Sequence, residues 1–377
     1  MQKFRLTKKK IVLISPEPWG KNFLSKHHIA NELARRGNKV FFIPPVGSIE
    51  KNYGDNFPKN VEVVSYRPIR GLNSFPKFFS RWLALIEINQ IKKKTGFVDI
   101  VWSFDPHRLQ FLKLFQAPTT IYHSVDNHQT SLEKRILEDA DFFFSNAQFT
   151  LDKYDHLFKY KIGHGVASYF FSRHASAELP GDYTIKVGYV GNLANRLLDL
   201  DFFKQLAKDY PTIGFYLVGP RGRSNLHPAG STDRDWGELD NLTNVYWLGE
   251  QPSHKLPSYL SGFDALLLLY RPDSSGFVVN AHKILEYLSS GKVIISYTQG
   301  DYILYTDLLV MGRTGLELKE IFGKVINNLH HYNSDQLMSE RINLAKENTY
   351  DNQLDRIESI LKTFAKSRVS WMGSGNP

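Results

Sequence analysis

Cysteine is absent from the chain, which excludes a disulfide framework and any thiolate metal site and is compatible with a reducing compartment. Nowhere do eighteen apolar residues run together, so no membrane-spanning helix is expected. The opening MQKFRLTKKKIVLIS is basic but passes directly into a strand-like run. It has neither the apolar core nor the small-residue cleavage site of a signal peptide, and a cytoplasmic protein is the expectation. There is no fixed-period repeat or low-complexity block, and no match to G-x-G-x-x-G or G-x-x-x-x-G-K-[ST]; neither a dinucleotide fingerprint nor a P-loop is indicated. Acidic residues are the minority charge, 38 Asp plus Glu against 47 Lys plus Arg, for a net charge of +9. That balance suits a polyanionic partner: nucleic acid, an acidic membrane surface or a phosphorylated small molecule. The basic residues are dispersed and no recognition motif accompanies them, so nucleic acid is not the expected partner.

What is present is alternation. At 377 residues and 42% hydrophobic the chain is about twice a usual domain, and two domains with separate cores are expected. KIVLIS (10–15), a helical stretch SKHHIANELARRG stopped by Gly37, and KVFFIP form a βαβ unit. VEVVSY, DIVWSF, TTIYHSV and DFFFSNA continue the pattern of a parallel sheet covered on both faces. A second series runs through IKVGYVGN, IGFYLVG, NVYWLGE, DALLLLYR and KVIISY. Between the two, SRHASAELPGDY (172–183) is polar, holds Pro180 and Gly181 and shows neither period; the interdomain linker is placed there. The terminal SWMGSGNP reads as a tail, outside the fold.

Open α/β sheets bind ligands at the carboxyl ends of their strands, which makes the loops of the second half the candidates. GYVGNLANR contains Gly191, Asn192 and Arg196, and VGPRG contains Gly219; YRPDSSGFVVNAHK contains Ser275, Gly276 and Asn280 and leads into a helix that opens with Lys283 and Glu286. Glycines let backbone approach a ligand closely. A lysine and a glutamate three apart are also an ordinary surface ion pair, the alternative reading of Lys283 and Glu286.

NAHKILEYLSSGKVIIS (280–296), preceded by FDALLLLYRPDSSG and NVYWLGEQPSHKLPSYLSG, resembles the donor-binding end of the two-Rossmann (GT-B) glycosyltransferases, whose pattern is close to N-P-x-K-x-x-E-Y-L-A-x-G-K-P-V-V. Asn280, Lys283, Glu286, Tyr287, Leu288, Gly291 and Lys292 match; Ala281 and Val293 replace the two prolines. GYVGNLANRLLDLDFFKQLAKDYPTIGFYLVGP is similar to the start of the family's C-terminal domain and IGHGVASYFF to the close of its N-terminal one. The subgroup it most resembles makes teichuronic acids and exopolysaccharides. The resemblance implies two Rossmann-like doubly wound parallel-sheet domains facing across a cleft: 1–171 on the acceptor side, a linker at 172–183, 184–350 for the donor, a helix 351–368 returning to the first domain, and a tail 369–377.

It also implies roles. Glu286 would accept hydrogen bonds from the ribose hydroxyls of a nucleoside diphosphate sugar, and Lys283 and Arg196 would meet its diphosphate, with Arg196 stabilising the leaving group. The loop with Ser275 and Gly276 would line the donor. No cofactor or metal is implied; the D-x-D patterns at 199–201 and 233–235 end no apolar strand and read as coincidences. Val278 stands where many retaining relatives carry a glutamate, which leaves the stereochemical outcome open, with retention favoured. On the acceptor side, SPEPWGKNFLSKHH offers Glu17, Gly20 and Lys21, SFDPHR offers Asp105, and TTIYHSVDNH offers His123, which would orient the sugar or take a proton, and Asp126, the better base for an inverting reaction. His27, His28 and His128 read as packing or surface residues.

FPKFFSRWLALIEINQIKKK (75–94) puts Phe78, Trp82, Leu85 and Ile86 on one helical face flanked by Lys77, Arg81 and Lys92 to Lys94. This fits either an in-plane helix on an anionic leaflet or a helix packed at a domain edge. The function expected is transfer of a sugar from a nucleoside diphosphate sugar to a glycan or lipid-linked acceptor, at the inner face of the cell membrane. The alternatives are a non-catalytic nucleotide-sugar binding subunit and a basic membrane-peripheral scaffold.

Overall fold

The computed structural model describes residues 5–20, 23–47, 58–125, 130–221, 236–271 and 282–373. The chain forms two compact units, one of residues 1–165 with 350–377 and one of 166–349.

The first unit holds seven parallel strands: β1 (Lys10–Ile14), β2 (Lys39–Ile43), β3 (Val61–Val63), β4 (Ile100–Ser103), β5 (Thr119–Ser124), β6 (Phe142–Ser145) and β7 (Lys159–Lys161), in the order β3-β2-β1-β4-β5-β6-β7. Ile11 to Ile14 are all buried, because a parallel sheet with helices on both faces hides both sides of its central strands. Val12 and Ile14 lie in one apolar cluster with Ile88 and Ile91 of the helix Lys77–Thr95 and with Val101, Tyr122 and Phe143 of the neighbouring strands. VEVVSY keeps strand pairing only as far as Val63, at the sheet edge. The last helix, Tyr350–Gly373, belongs to this unit. Arg36, at the end of the helix Ser25–Arg35, donates to Asp351 and pairs with Asp355 at 2.8 Å, and the Phe364 ring packs edge-on against Phe142 and Phe158.

The second unit holds six parallel strands: β8 (Lys186–Val190), β9 (Gly214–Val218), β10 (Val245–Gly249), β11 (Ala265–Leu268), β12 (Val293–Tyr297) and β13 (Leu309–Gly312), in the order β10-β9-β8-β11-β12-β13. The segment 172–183 packs on this unit: Ala177 N–H donates to the Ser258 carbonyl at 2.8 Å, and the Tyr216 hydroxyl to the Pro180 carbonyl at 2.8 Å. Gly291 ends the helix Lys283–Ser289 with φ +74 before β12 begins. Among the described residues no helix is long and apolar enough to cross a membrane.

Candidate functional site

In each sheet the chain reverses its direction of strand addition once, between β1 and β4 in the first unit and between β8 and β11 in the second. In open sheets of this kind the loops leaving such strands diverge at their carboxyl ends, and that is where ligands bind.

In the second unit two glycines bring the ends of β8 and β9 close together. A Cβ placed on Gly219 would lie 1.7 Å from the Gly191 carbonyl oxygen, and Gly219 has φ +144, a conformation that side-chain-bearing residues rarely adopt. The ends of β8 and β9 therefore touch main chain to main chain. Over Gly191 lie the Tyr189 hydroxyl and Lys283, whose Oη and Cε would be 2.7 and 2.8 Å from a Cβ built there. Lys283 opens the helix Lys283–Ser289, and Glu286 follows three residues later on the same side. Burial pushes the Glu286 carboxyl above its ordinary pKa, partly offset by the Lys283 charge. The turn after β8 is held by its own side chains: Ala194 N–H donates to Asn192 Oδ1 at 2.9 Å and Leu197 N–H to Asn195 Oδ1 at 3.0 Å, and Arg196 stands exposed at its tip. The turn then closes on the chain leaving β11, through Asp199 N–H to the Leu269 carbonyl and Arg271 N–H to the Leu197 carbonyl, each at 2.8 Å. The structure thus gathers Gly191, Gly219 and Lys283 into contact, and anchors the base of the Arg196 turn beside β11.

Two supports of this site carried no role in the sequence. The Tyr287 hydroxyl donates to the Val190 carbonyl at 3.0 Å and accepts from the Val190 N–H at 2.7 Å, which ties the end of β8 to the helix bearing Lys283 and Glu286. Its identity is visible in sequence, but its partner is nearly a hundred residues distant. Arg221, after β9, lies 3.2 Å over the Trp247 ring, with Trp236 edge-on to that ring at 5.1 Å. Asp199, the first aspartate of DLD, caps the helix Leu200–Asp209 by accepting from Phe202 N–H at 2.9 Å. Burial raises its pKa, but Arg271, the Tyr297 hydroxyl and that amide outweigh burial and hold it below the ordinary value. Among the described residues no three His, Asp or Glu side chains gather as metal ligands.

In the first unit, Glu17 and Gly20 follow β1, Asp105 follows β4 and His123 lies within β5. Glu17 is buried and accepts from Lys26 Nζ at 2.8 Å. Lys26, also buried, looked in sequence like any lysine on an amphipathic helix; an acid nine residues earlier was the only trace of the pair. Asp105 is buried and engaged: Arg108 Nε donates to it at 2.7 Å and His107 N–H at 2.8 Å, while Arg108 also donates to the carbonyls of Pro44 and Ser15. Asp105 therefore orients an arginine that ties the ends of β1 and β2 together.

His123 is 2% exposed, packs against the rings of Trp102 and Phe104, and has no hydrogen-bond partner at either ring nitrogen among the described residues. Its pKa is lowered to about 3, chiefly by burial and then by the charges of His164 and Lys26. It lines a pocket with Ser25, Asn146, His164, Tyr350 and Gln353. His27 and His28 are packing residues: His27 stacks between Phe23 and Phe42, and His28 on Tyr350. Lys21, Asp126, His128, Ser275, Gly276, Val278 and Asn280 lie outside the described residues.

No protein-family model matches the chain, and no curated protein sequence does. Solved structures do. A glycosyltransferase from Rickettsia africae ESF-5 is 15% identical with a TM-score of 0.70, over 95% of this chain and 99% of that one. Sucrose-phosphate synthase from Thermosynechococcus elongatus is 14% identical with a TM-score of 0.68, over 95% and 100%. Anabaena Alr3699/HepE, in complex with UDP and glucose, is 13% identical with a TM-score of 0.67, over 94% and 99%. The chain has the fold of these glycosyltransferases, the GT-B fold, along nearly its whole length.

Proposed function

We propose that the protein is a glycosyltransferase that moves a hexose-type sugar from a nucleoside diphosphate sugar to an acceptor hydroxyl on a surface polysaccharide or lipid-linked glycan, on the cytoplasmic side of the membrane. The observation that carries this reading is the end of β8 and β9 in the second unit, where Gly191 and Gly219 bring main chain against main chain and the Lys283 side chain lies directly over Gly191. Glycine backbone permits close approach of a diphosphate, and Lys283 supplies a cation beside it. The UDP in the Anabaena neighbour's structure agrees with a nucleotide donor.

In this reading the diphosphate lies on Gly191, Asn192 and Gly219, with Lys283 and Arg196 supplying the positive charge that a divalent cation would otherwise bring. Ser275, Gly276 and Asn280 line the sugar and phosphate from the preceding loop. Glu286 accepts from both ribose hydroxyls; it gains most when those hydroxyls replace the water it has lost, in keeping with the direction of its pKa. As the glycosidic bond breaks, Arg196 stabilises charge on the departing phosphate oxygen.

On the acceptor side, this reading gives Glu17, Gly20, Lys21 and Asp105 to the loops that would meet the acceptor. His123 is neutral at physiological pH and too weakly basic to remove a hydroxyl proton efficiently, so its role is to orient the sugar. With Glu17 paired to Lys26 and Asp105 to Arg108, the departing phosphate oxygen is the group that takes the acceptor proton. Attack then comes from the face the leaving group quits, and the anomeric configuration is retained. Asp126 is the base an inverting reaction would use.

The test is release of free nucleoside diphosphate from sugar donors, with and without a chelator, with the product anomer read by NMR. Chelator-independent release and a retained anomer are expected; an inverted product that vanishes in Asp126→Asn overturns the base-free step.

A further inference from the structure

The helix Lys77–Thr95 has two apolar faces. Ser80, Ala84, Glu87, Ile88, Ile91 and Thr95 recur every three or four residues and are buried, with Ile88 and Ile91 in the core cluster under the sheet. Phe78, Phe79, Trp82, Leu85 and Ile86 are 84, 51, 56, 37 and 43% exposed. At 3.6 residues per turn these five fall within an arc of about 120°, centred opposite the buried stripe. Phe75, just before the helix, extends the arc, with its ring 6.0 Å from Phe79, and Phe79 lies 5.9 Å from Trp82. Among the described residues none of these side chains belongs to the core cluster, and a contiguous apolar face of this kind marks an interaction surface.

Charge identifies the partner. Between Arg67 and Lys94 the sequence has seven Lys or Arg and a single acid, Glu87, which is buried and accepts from Ile69 N–H at 2.6 Å. Lys77 and Arg81 meet Glu138 and Asp139 of the helix Leu132–Asp139. Arg67, Arg70 and Lys93 are exposed, and Lys93 falls on the same arc as the aromatic residues, two turns further along, while Lys94 Nζ donates to the Ser65 carbonyl at 2.6 Å. A two-fold pairing of this face with a second copy would set the basic rim against itself, which like charges oppose.

We propose that this face seats the protein on an anionic lipid surface, with Phe78, Phe79, Trp82, Leu85 and Ile86 in the boundary between headgroups and acyl chains and the surrounding lysines and arginines on lipid phosphates. Long basic side chains reach headgroups while their stems stay in the apolar layer. This seat stands apart from the transfer reaction, because it uses no residue of the proposed donor or acceptor loops.

The test is co-sedimentation of the full chain, without nucleotide, with vesicles of phosphatidylcholine alone and of phosphatidylcholine mixed with phosphatidylglycerol. Binding is expected only to the mixed vesicles, weakening as salt rises, because polybasic attraction is screened. Phe78→Ser with Trp82→Ser should lower partitioning by roughly tenfold or more, and Arg70→Glu with Lys93→Glu should remove the preference for phosphatidylglycerol. All four side chains are exposed, so an unchanged melting temperature checks that the variants are folded. Equal binding to both lipids, or unaltered binding by the Phe78 and Trp82 variant, overturns the proposal. So does self-association on sedimentation equilibrium that Trp82→Ser abolishes while vesicles bind nothing, since the face would then join copies of the chain.

Discussion

Gly219 has no room for a side chain. The nearest atom to an added Cβ is main chain, not the movable end of a side chain, and φ at +144 adds backbone strain. Gly219→Ala should cost the second unit about 1–3 kcal/mol in chemical denaturation and weaken the binding of any anion held there. On the proposed reading, Glu286→Ala removes two charge-assisted hydrogen bonds to ribose, expected to cost about 2–3 kcal/mol, or roughly 30- to 150-fold in donor Kd by calorimetry. Because the Glu286 pKa is raised, donor affinity should fall as pH drops through it, and Glu286→Gln should flatten that fall. The buried histidines act on stability instead. His27, His28 and His123 have pKa values lowered to about 4, 3 and 3, each chiefly by burial. From pH 6.5 down to those values the unfolded chain binds protons that the folded chain does not, so stability is complete above about pH 6.5 and is lost on acidification. The melting temperature should therefore fall between pH 7 and 5, and His28→Phe should lessen the slope.

At the scale of elements, the helix Lys283–Ser289 is short and owes its placement to what grips it. Tyr287 fastens it to Val190, and Arg341, fully buried, donates to the carbonyls of Gly291 and Leu308 at 2.9 Å each and so holds the helix end. Burial lowers the Arg341 pKa to about 10, still charged at neutral pH. Tyr287→Phe leaves the Val190 N–H and carbonyl without those partners, and a loss of about 1–3 kcal/mol is expected by thermal or chemical unfolding. Donor affinity should fall with it, since Lys283 and Glu286 lose their anchor. The helix pattern itself was readable because its apolar residues, its charges and Gly291 all agree over a dozen residues. Its grip was not, because Tyr287 and Arg341 reach partners 97 and 50 residues away and hydrogen bonds leave no periodicity. The same holds for Glu17 with Lys26, and for Asp105, whose carboxylate is spent on Arg108.

For the whole molecule, the two parallel sheets were legible because buried strands read as short apolar segments between helices, and eleven of the thirteen strands among the described residues coincide with segments read from the sequence. Two of the four edge strands, β7 (KYK) and β13 (LVMG), do not stand out: both are short, and β7 is largely polar, as edges exposed to solvent tend to be. The aromatic face of the helix Lys77–Thr95 was legible as a pattern, while its exposure required the sheet beneath it to be in place. The measurement that most directly tests the central claim, a nucleoside diphosphate sugar held by the second unit, is a thermal-shift panel of UDP, GDP, CMP and dTDP sugars with and without divalent metal, since a ligand that binds only the folded state raises its stability by mass action. A metal-independent shift from one nucleotide class, lost in Glu286→Ala, is the predicted result; no shift from any member of the panel would contradict the account.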